Sequence, residues 1–248
     1  MTTPFQPYTI SGADRRSDTV IICDHASNHV PAEINGGTLG LPDADMTRHI
    51  AFDIGAKGVS EHLGHLLNAP VICSTFSRLV IDPNRGEDDP TLMMRLYDGT
   101  IIPGNRHATE ADIEARLNLC HRPYHKALAA LLSKRKTPLL ISIHSFTPRL
   151  NGRAPRPWHI GVLSGQDRRL SDALLHELAQ EPDINAGDNV PYKGELKGDC
   201  MDQHATKHGH NHTLIELRHD LIDTPEGQEK WANRLAPLLT RAISTVTN

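Results

Sequence analysis

Two short apolar runs that each end in a histidine constrain the fold of this chain most strongly. Residues 19–23 lead into Asp24 and His25, and residues 138–143 lead into His144. A short apolar run followed by polar residues is typical of a central strand in an α/β sheet, which is buried on both faces. Because ligand-binding groups of such sheets collect outside the carboxyl ends of the strands, we expect the two histidines to lie together there.

The remaining segments alternate between helical and extended patterns. Helices are expected from Asp43 or Asp45 to about Leu67, from 110 to about 134 with an adjustment at Pro123, at 167–180, and from Pro225 onward. Extended segments are expected at 70–76, 78–81, 158–163 and 213–217, and an ordered surface loop or lid at 86–106. This alternation predicts a three-layer α/β/α fold with a mostly parallel mixed sheet. At 248 residues, one domain spanning residues 1–248 is expected.

Composition and charge exclude several classes of protein. The chain has 38% hydrophobic and 23% charged residues and a net charge of -4, without the basic excess typical of proteins that bind nucleic acid or anionic membranes. No apolar run approaches the roughly 20 residues that span a bilayer. The first residues lack the apolar core of a signal peptide, so a cytoplasmic location is expected. The four cysteines include no CxxC pair, which argues against a zinc ribbon or a redox dithiol.

Histidine is frequent, at 16 of 248 residues, and imidazole is a common ligand of transition metals and a common acid or base near neutral pH. Four of these histidines lie between His204 and His212. Their alternation would bring His208, His210 and His212 to one face only in a strand, and the intervening Gly209 favours a loop. We expect this segment to approach a site through His204 or His212, with His208 and His210 at the surface.

Glu216 is a carboxylate within the apolar segment 214–217. Burial of an unpaired carboxylate is costly, so such a group gains a cationic partner or its pKa rises. One interpretation is an ion pair with Arg218 on the same strand face, or with another cation. The other is a general base whose pKa is raised toward neutrality, as acid–base catalysis requires.

Residues 78–85 place two cations and an amide around a short apolar stretch. The guanidinium groups of Arg78 and Arg85 can each bind a carboxylate with two hydrogen bonds. With Asn84 beside them, this segment suits an anionic substrate. The alternative is that Asp82 and Arg85 only cap a turn.

Several of these segments resemble the N-formylglutamate amidohydrolase family. The resemblance extends from about Thr19 to Asp223 and rests on separated motifs in the expected order, at 23–28, 77–85, 142–146, 156–163 and 214–218. It implies a fold of the zinc-carboxypeptidase and aspartoacylase type, with a mixed sheet between helices. It also implies a zinc ion and a catalytic glutamate on a late strand, a position that Glu216 matches.

The resemblance leaves the third metal ligand open. Carboxypeptidase-like relatives have a glutamate three residues after the first histidine, where this chain has Asn28. A catalytic zinc usually keeps three protein ligands and one open position, so another carboxylate is needed. The related muramoyl-alanine amidases take theirs from the first helix, which favours Asp53 here, with Asp24, Asn28 and His49 as the alternatives.

These assignments predict a zinc-dependent amidohydrolase. Zinc would be held by His25, Asp53 and His144, while Glu216 takes the proton of water and passes it to the leaving amine. Arg78 would stabilise the developing oxyanion. The expected substrate is a small anionic N-acyl amino acid, with N-formyl-L-glutamate giving formate and L-glutamate as the best candidate. The residues expected to bind it are Asn84, Arg85, Arg218 and Ser145.

Two other functions remain open at this point. One is an amidase for another N-acyl amino acid or for a peptidoglycan-type amide, which would need an open groove around 86–106. The other is a non-catalytic module that binds a metal or an anion, which has no need of a buried Glu216. The motifs of two common hydrolase classes, GxSxG and HExxH, are both absent from the sequence.

Overall fold

A seven-stranded mixed sheet forms the centre of the structure, a computed structural model that describes residues 4–194 and 196–247. Its strands are, in spatial order, β1 (Tyr8–Ser11), β3 (Val71–Ser74), β2 (Thr19–Cys23), β6 (Leu139–Phe146), β9 (Asn211–Arg218), β7 (Ile160–Leu163) and β8 (Ala186–Asp188). Neighbouring strands run parallel except β1 against β3 and β7 against β9. A separate hairpin of β4 (Leu96–Tyr97) and β5 (Thr100–Ile101) lies within the predicted loop 86–106. The prediction of a mostly parallel mixed sheet is confirmed.

Helices cover both faces of this sheet. They are α1 (Asp43–Met46), α2 (Ala56–Leu66), α3 (Pro103–Arg106), α4 (Glu110–Arg116), α5 (Arg122–Leu132), α6 (Arg169–Leu178), α7 (Cys200–His204) and α8 (Pro225–Thr247). On one face α8 packs against α2 and α6, and on the other α5 and α7 share an apolar core with the sheet. The predicted three-layer α/β/α architecture is therefore confirmed. In the part of the chain that the structure describes, no helix combines the length and the apolar character needed to cross a membrane.

Strand periodicity decides which face of the sheet carries the polar groups. In β6, Ile141 and Ile143 pack in the core on the side of α2, α6 and α8, whereas Leu140 packs on the side of α5 and α7. His144 lies four residues after Leu140 and therefore points to that second side. The parallel register of β6 and β9 sets His144 directly beside Glu216. The sheet thus places an imidazole and a carboxyl group side by side near its carboxyl edge.

The helix predicted over 43–67 is in fact two helices, α1 and α2, and the segment between them is not helical. Gly55 directly precedes α2 and has a φ of 78°, a left-handed conformation that favours glycine. A Cβ atom at this position would lie 2.0 Å from the carbonyl oxygen of Ile222. Asp53 precedes the helix, and its backbone N–H donates to the carbonyl of His25 at 2.9 Å. The break therefore turns Asp53 toward the end of β2.

Two further elements differ from their predicted form. Residues 78–81 form a turn in place of a strand, because the backbone N–H of Val80 donates to the carbonyl of Ser77 at 2.9 Å. The helix predicted from 110 to about 134 is α4 and α5 joined by a π-helical turn at Leu117–His121. This turn ends just before Pro123, where the sequence predicts an adjustment.

Gly55→Ala is expected to lower the free energy of unfolding by about 2–5 kcal/mol, since left-handed strain adds to overpacking against a backbone carbonyl. Gly99→Ala is the matched control, because Gly99 also has a φ of 78° but has open space around its Cβ position. The control should lose only the strain of about 1–2 kcal/mol. Denaturant unfolding of both variants measures the difference. Equal losses would show that the close approach to Ile222 does not matter.

Candidate active site

His25, Asp53 and His144 form a buried group above the ends of β2 and β6. The Oδ2 atom of Asp53 lies 3.3 Å from His25 Nδ1 and 2.8 Å from His144 Nδ1. The same oxygen accepts a hydrogen bond from the backbone N–H of Ser145 at 3.2 Å. One ligand atom from each of the three side chains lies within 4.8 Å of the other two. The two predicted histidines thus meet on a single carboxylate.

The other candidates for the third ligand lie elsewhere. The side-chain amide of Asn28 donates to a backbone carbonyl of α1 at 2.9 Å. His49 lies at the edge of the site, with its Nε2 atom 3.4 Å from Asp98 Oδ2. Asp24 approaches His144 from the Nε2 side of the ring, opposite to Asp53. Of these residues, only Asp53 faces both histidines through Nδ1.

Two further carboxylates hold the outer sides of the imidazoles. His25 Nε2 donates to Asp82 Oδ1 at 2.7 Å, on the side of the ring away from the Nδ1 atom that faces Asp53. His144 Nε2 lies 3.3 Å from Asp24 Oδ2, in a contact too poorly aligned for a hydrogen bond. Asp24 is fully buried and accepts hydrogen bonds from the side chains of Tyr124, Ser142 and Cys200. Histidines that bind metals commonly have such a carboxylate behind the ring.

Burial and ion pairing oppose each other in this group. Burial alone would raise the pKa of Asp53, but the imidazoles of His25 and His144 outweigh it and hold that pKa well below its usual range. Burial likewise opposes the ionisation of Asp24, yet its contact with His144 lowers the pKa to about 2. Both carboxyl groups are therefore ionised at neutral pH.

Glu216 is buried next to this group and behaves differently. Burial raises its pKa to about 7, and its Oε2 atom has no hydrogen-bond partner among the residues that the structure describes. The ion pair with Arg218 considered from the sequence does not form, because the guanidinium of Arg218 donates to Asp220 at 2.8 Å. Glu216 is thus a carboxyl group with a free oxygen atom that titrates near neutral pH, as expected of a catalytic acid or base.

A pocket opens above these residues, and His25, Asp53, His144 and Glu216 all line it. The sheet contributes apolar wall residues, and loops distant in sequence contribute the rest. These additional lining residues include Phe146, Leu163, Leu214, Tyr97, Tyr192 and Lys193. Tyr97 comes from the hairpin in the predicted loop 86–106. No local sequence pattern marks the residues from loops, because only the folded chain brings them to the pocket.

Arg78, Asn84 and Arg85 line this pocket as well, so the structure brings the three together there. Arg78 is neutralised on both sides, with Nη2 2.9 Å from Asp82 Oδ2 and Nη1 3.5 Å from Asp53 Oδ1. Arg85 donates to a threonine hydroxyl and to a backbone carbonyl. Within the described residues no carboxylate pairs with it. Arg85 therefore brings to the pocket a guanidinium that no described carboxylate neutralises.

Two residues that the sequence predicts to bind substrate, Arg218 and Ser145, make contacts within the protein. Arg218 does not line the pocket. Ser145 does, but its hydroxyl donates to the carbonyl of Ile54 at 2.8 Å, and its N–H holds Asp53. Asp82 accepts from the backbone N–H of Asn84 at 2.9 Å. Asp82 therefore caps the turn through Asn84 and contacts His25 in the site at the same time.

The histidine segment after residue 203 lies outside the pocket. His204 is buried against His125. His212, near the start of β9, donates through Nδ1 to the carbonyl of His210 at 2.9 Å, and its Nε2 atom lies 3.4 Å from the hydroxyl of Thr206. His208 is exposed and its ring stacks on that of His210.

The sequence analysis did not predict that Asp82 would contact His25 from behind the ring. The sequence does contain a signal for this role, because Asp82 lies between the two arginines of the motif at 77–85.

The donor set of the buried group suits zinc. Two imidazole nitrogens and one carboxylate oxygen are ligands typical of a catalytic zinc ion, which keeps a further position open. Asp82 and Asp24 lie where outer partners of such ligands are found. Glu216, whose Oε2 atom has no hydrogen-bond partner among the described residues, lines the pocket next to this group. The residues present therefore fit the metal that the sequence resemblance implies.

The fold and the site are those of an α/β protein with a candidate metal site at the carboxyl edge of its sheet. A comparison with protein families matches N-formylglutamate amidohydrolase over residues 17–223. The chain belongs to the N-formylglutamate amidohydrolase family, as its motifs predict.

Comparisons with solved structures show that the same fold occurs in other proteins. A gene product of Agrobacterium tumefaciens is 32% identical, with a TM-score of 0.92 over 98% of this chain and 97% of that one. An N-formylglutamate amidohydrolase from Ralstonia eutropha has the same fold at 22% identity, with a TM-score of 0.73 over 96% of this chain and 98% of that one. No curated protein matches the chain.

Proposed function

We propose that this chain hydrolyses the N-acyl amide of an acidic amino acid in a zinc-dependent reaction, with N-formyl-L-glutamate as substrate and formate and L-glutamate as products. The observation that carries the proposal is the carboxyl group of Glu216 beside the buried His25, Asp53 and His144, with an Oε2 atom that has no hydrogen-bond partner among the described residues. Arg85 adds a guanidinium to the same pocket. Membership of the family supports the reaction class and the acidic substrate.

His25, Asp53 and His144 are the residues that would hold the zinc ion, through the two Nδ1 atoms and a carboxylate oxygen. When bound, zinc polarises the acyl carbonyl and lowers the pKa of a water molecule. Asp82 and Asp24 keep the two imidazole rings oriented from behind.

Glu216 moves the proton in the proposed reaction. Its carboxylate takes a proton from the attacking water, and the resulting carboxylic acid gives that proton to the leaving amine nitrogen. Burial suits the residue to both steps, because a pKa raised to about 7 makes the ionised and protonated forms similar in free energy near neutral pH.

The cations bind the negative charges of the reaction. Arg78 is fixed by Asp53 and Asp82, so its guanidinium is already in place to stabilise the oxyanion that develops on the acyl oxygen. Asn84 and Arg85 follow closely after Asp82, which holds His25. We assign them to the carboxylate nearest the scissile amide, the α-carboxylate of the amino acid.

Release of L-glutamate from a series of N-acyl-L-glutamates by the zinc-loaded protein tests the proposal. N-formyl-L-glutamate should be hydrolysed fastest, and N-acetyl-L-glutamate slower by roughly 10- to 200-fold, the range that one methyl group gives in a fitted pocket. N-formyl-L-norvaline lacks the side-chain carboxylate and is the control that shows whether hydrolysis requires an acidic amino acid. Equal or faster release from the acetyl compound would assign another acyl group. No release of L-glutamate from any compound by protein that holds zinc would overturn the proposal.

A further inference from the structure

Three histidines that the proposed mechanism does not use lie behind the pocket wall. His121, the last residue of the π-helical turn, and His125 of α5 have ring centroids 4.3 Å apart. His125 and His204 of α7 are stacked, with centroids 5.1 Å apart and an angle of 12° between the rings. All three side chains are buried. Such a cluster of buried polar groups needs internal hydrogen bonds.

Its hydrogen bonds converge on residues 83–85, which we call the substrate loop. His125 Nε2 donates to the carbonyl of Pro83 at 3.0 Å, and His121 Nε2 donates to the carbonyl of Arg85 at 2.9 Å. A carbonyl oxygen only accepts, so both Nε2 atoms carry hydrogen. In a neutral His125, Nδ1 is then an acceptor, and His204 Nε2 is the donor to it at 2.8 Å. The geometry therefore fixes the direction of a chain of donors that ends on the loop.

Burial supports this neutral state of the cluster. Burial lowers the pKa of His125 to about 3 and that of His204 to about 4. Two neutral imidazoles can share one hydrogen bond, whereas two imidazoliums have no acceptor to offer.

The middle residue of the substrate loop is held from the same side. The backbone N–H of Cys200, in the same helix as His204, donates to Asn84 Oδ1 at 3.2 Å. This bond holds the carbonyl end of the Asn84 side chain, and the residue lines the pocket. All three residues of the loop are thus anchored to α5, α7 or the turn before α5.

We propose that His121, His125 and His204 are positioning residues that hold the substrate loop so that Asn84 and Arg85 bind the α-carboxylate of the substrate. The inference rests on the proposed function, in which these two residues bind that carboxylate. A loop fixed before binding loses less conformational entropy when the substrate binds. Loss of the cluster should therefore raise KM for a substrate with an α-carboxylate more than it lowers kcat.

His204→Leu removes the donor at the end of the chain, and His204→Gln keeps an N–H group near the position of Nε2. The variants are assayed with N-formyl-L-glutamate and with its α-amide, N-formyl-L-isoglutamine. The preference for the acid over the amide is the ratio of their kcat/KM values. In His204→Leu this ratio is expected to fall about tenfold, because one hydrogen bond in a buried network is lost. His204→Gln should restore most of the preference. His208→Leu, in the exposed turn that follows α7, is the matched control and should leave it unchanged.

A purely structural role would lower kcat/KM for the acid and the amide alike, and an unchanged ratio in folded His204→Leu overturns the inference. If that variant does not fold, His121→Leu and His121→Gln test the second anchor, at the carbonyl of Arg85, in the same way. The proposed function fails separately, if the unsubstituted protein hydrolyses neither compound. In that case calorimetry measures how tightly the zinc-loaded protein and the same variants bind L-glutamate and L-isoglutamine. The ratio of the two affinities then shows whether the histidines support carboxylate binding. An equal ratio in all variants would then overturn the inference as well.

Discussion

Replacement of Glu216 by glutamine is expected to lower kcat for N-formyl-L-glutamate by about 10²- to 10⁴-fold, the contribution of a positioned general acid–base group. Glutamine keeps the size and polarity of the side chain but can neither accept the proton of water nor return it to the leaving amine. Because Glu216 is outside the His25, Asp53 and His144 set, the variant should still bind one zinc ion. Steady-state kinetics and metal analysis of the same preparation measure both quantities.

An exposed glutamate provides the control for this substitution. Glu114→Gln makes the same chemical change on the surface, where the carboxylate pairs with Arg122, and should leave kcat unaltered. If Glu216→Gln retains near-native turnover with zinc bound, Glu216 is not the proton carrier. If it loses zinc together with activity, the residue belongs to the metal site instead.

Asp53→Asn is expected to have the second large effect, the loss of both zinc binding and hydrolysis. The carboxylate of Asp53 is the group that His25 and His144 share, and a neutral amide is a much weaker ligand for a hard or borderline cation. The loss of affinity should exceed the about 10- to 100-fold that removal of an outer partner of a ligand costs. Competition with a chelator of known affinity measures the change.

His49→Gln is the informative comparison for Asp53→Asn. His49 lines the same pocket and was an alternative third ligand from the sequence, but its ring faces Asp98. We expect this variant to bind zinc with unchanged affinity. The opposite pattern, in which His49→Gln loses zinc and Asp53→Asn keeps it, would contradict the ligand set proposed here.

The parts of the site that lie on strands could be predicted from the sequence. His25 and His144 follow apolar runs that are fully buried in β2 and β6, and strand periodicity is a local property of the chain. Glu216 stands out for the same reason, as a carboxylate in an apolar strand. The alternation of these strands with helices was enough to predict the layers of the fold.

The parts that depend on contacts between distant segments could be predicted only in outline. Asp53 was predicted as a residue of the first helix, but it lies ahead of α2 because Gly55 breaks the helix. The partner of Arg218 was also not evident, since two carboxylates, Glu216 and Asp220, lie two residues away on either side. The backbone turns back after β9, and Arg218 then reaches Asp220. Spacing in the sequence does not distinguish such alternatives.

Stepwise addition of zinc to metal-free protein tests the central proposal most directly. At each addition, the release of formate from N-formyl-L-glutamate is measured together with the amount of bound zinc. The rate should start near zero, rise in proportion to bound zinc, and level off at one zinc ion per chain. A rate that is already maximal in metal-free protein, or that stays at zero when one zinc ion is bound, would contradict the account.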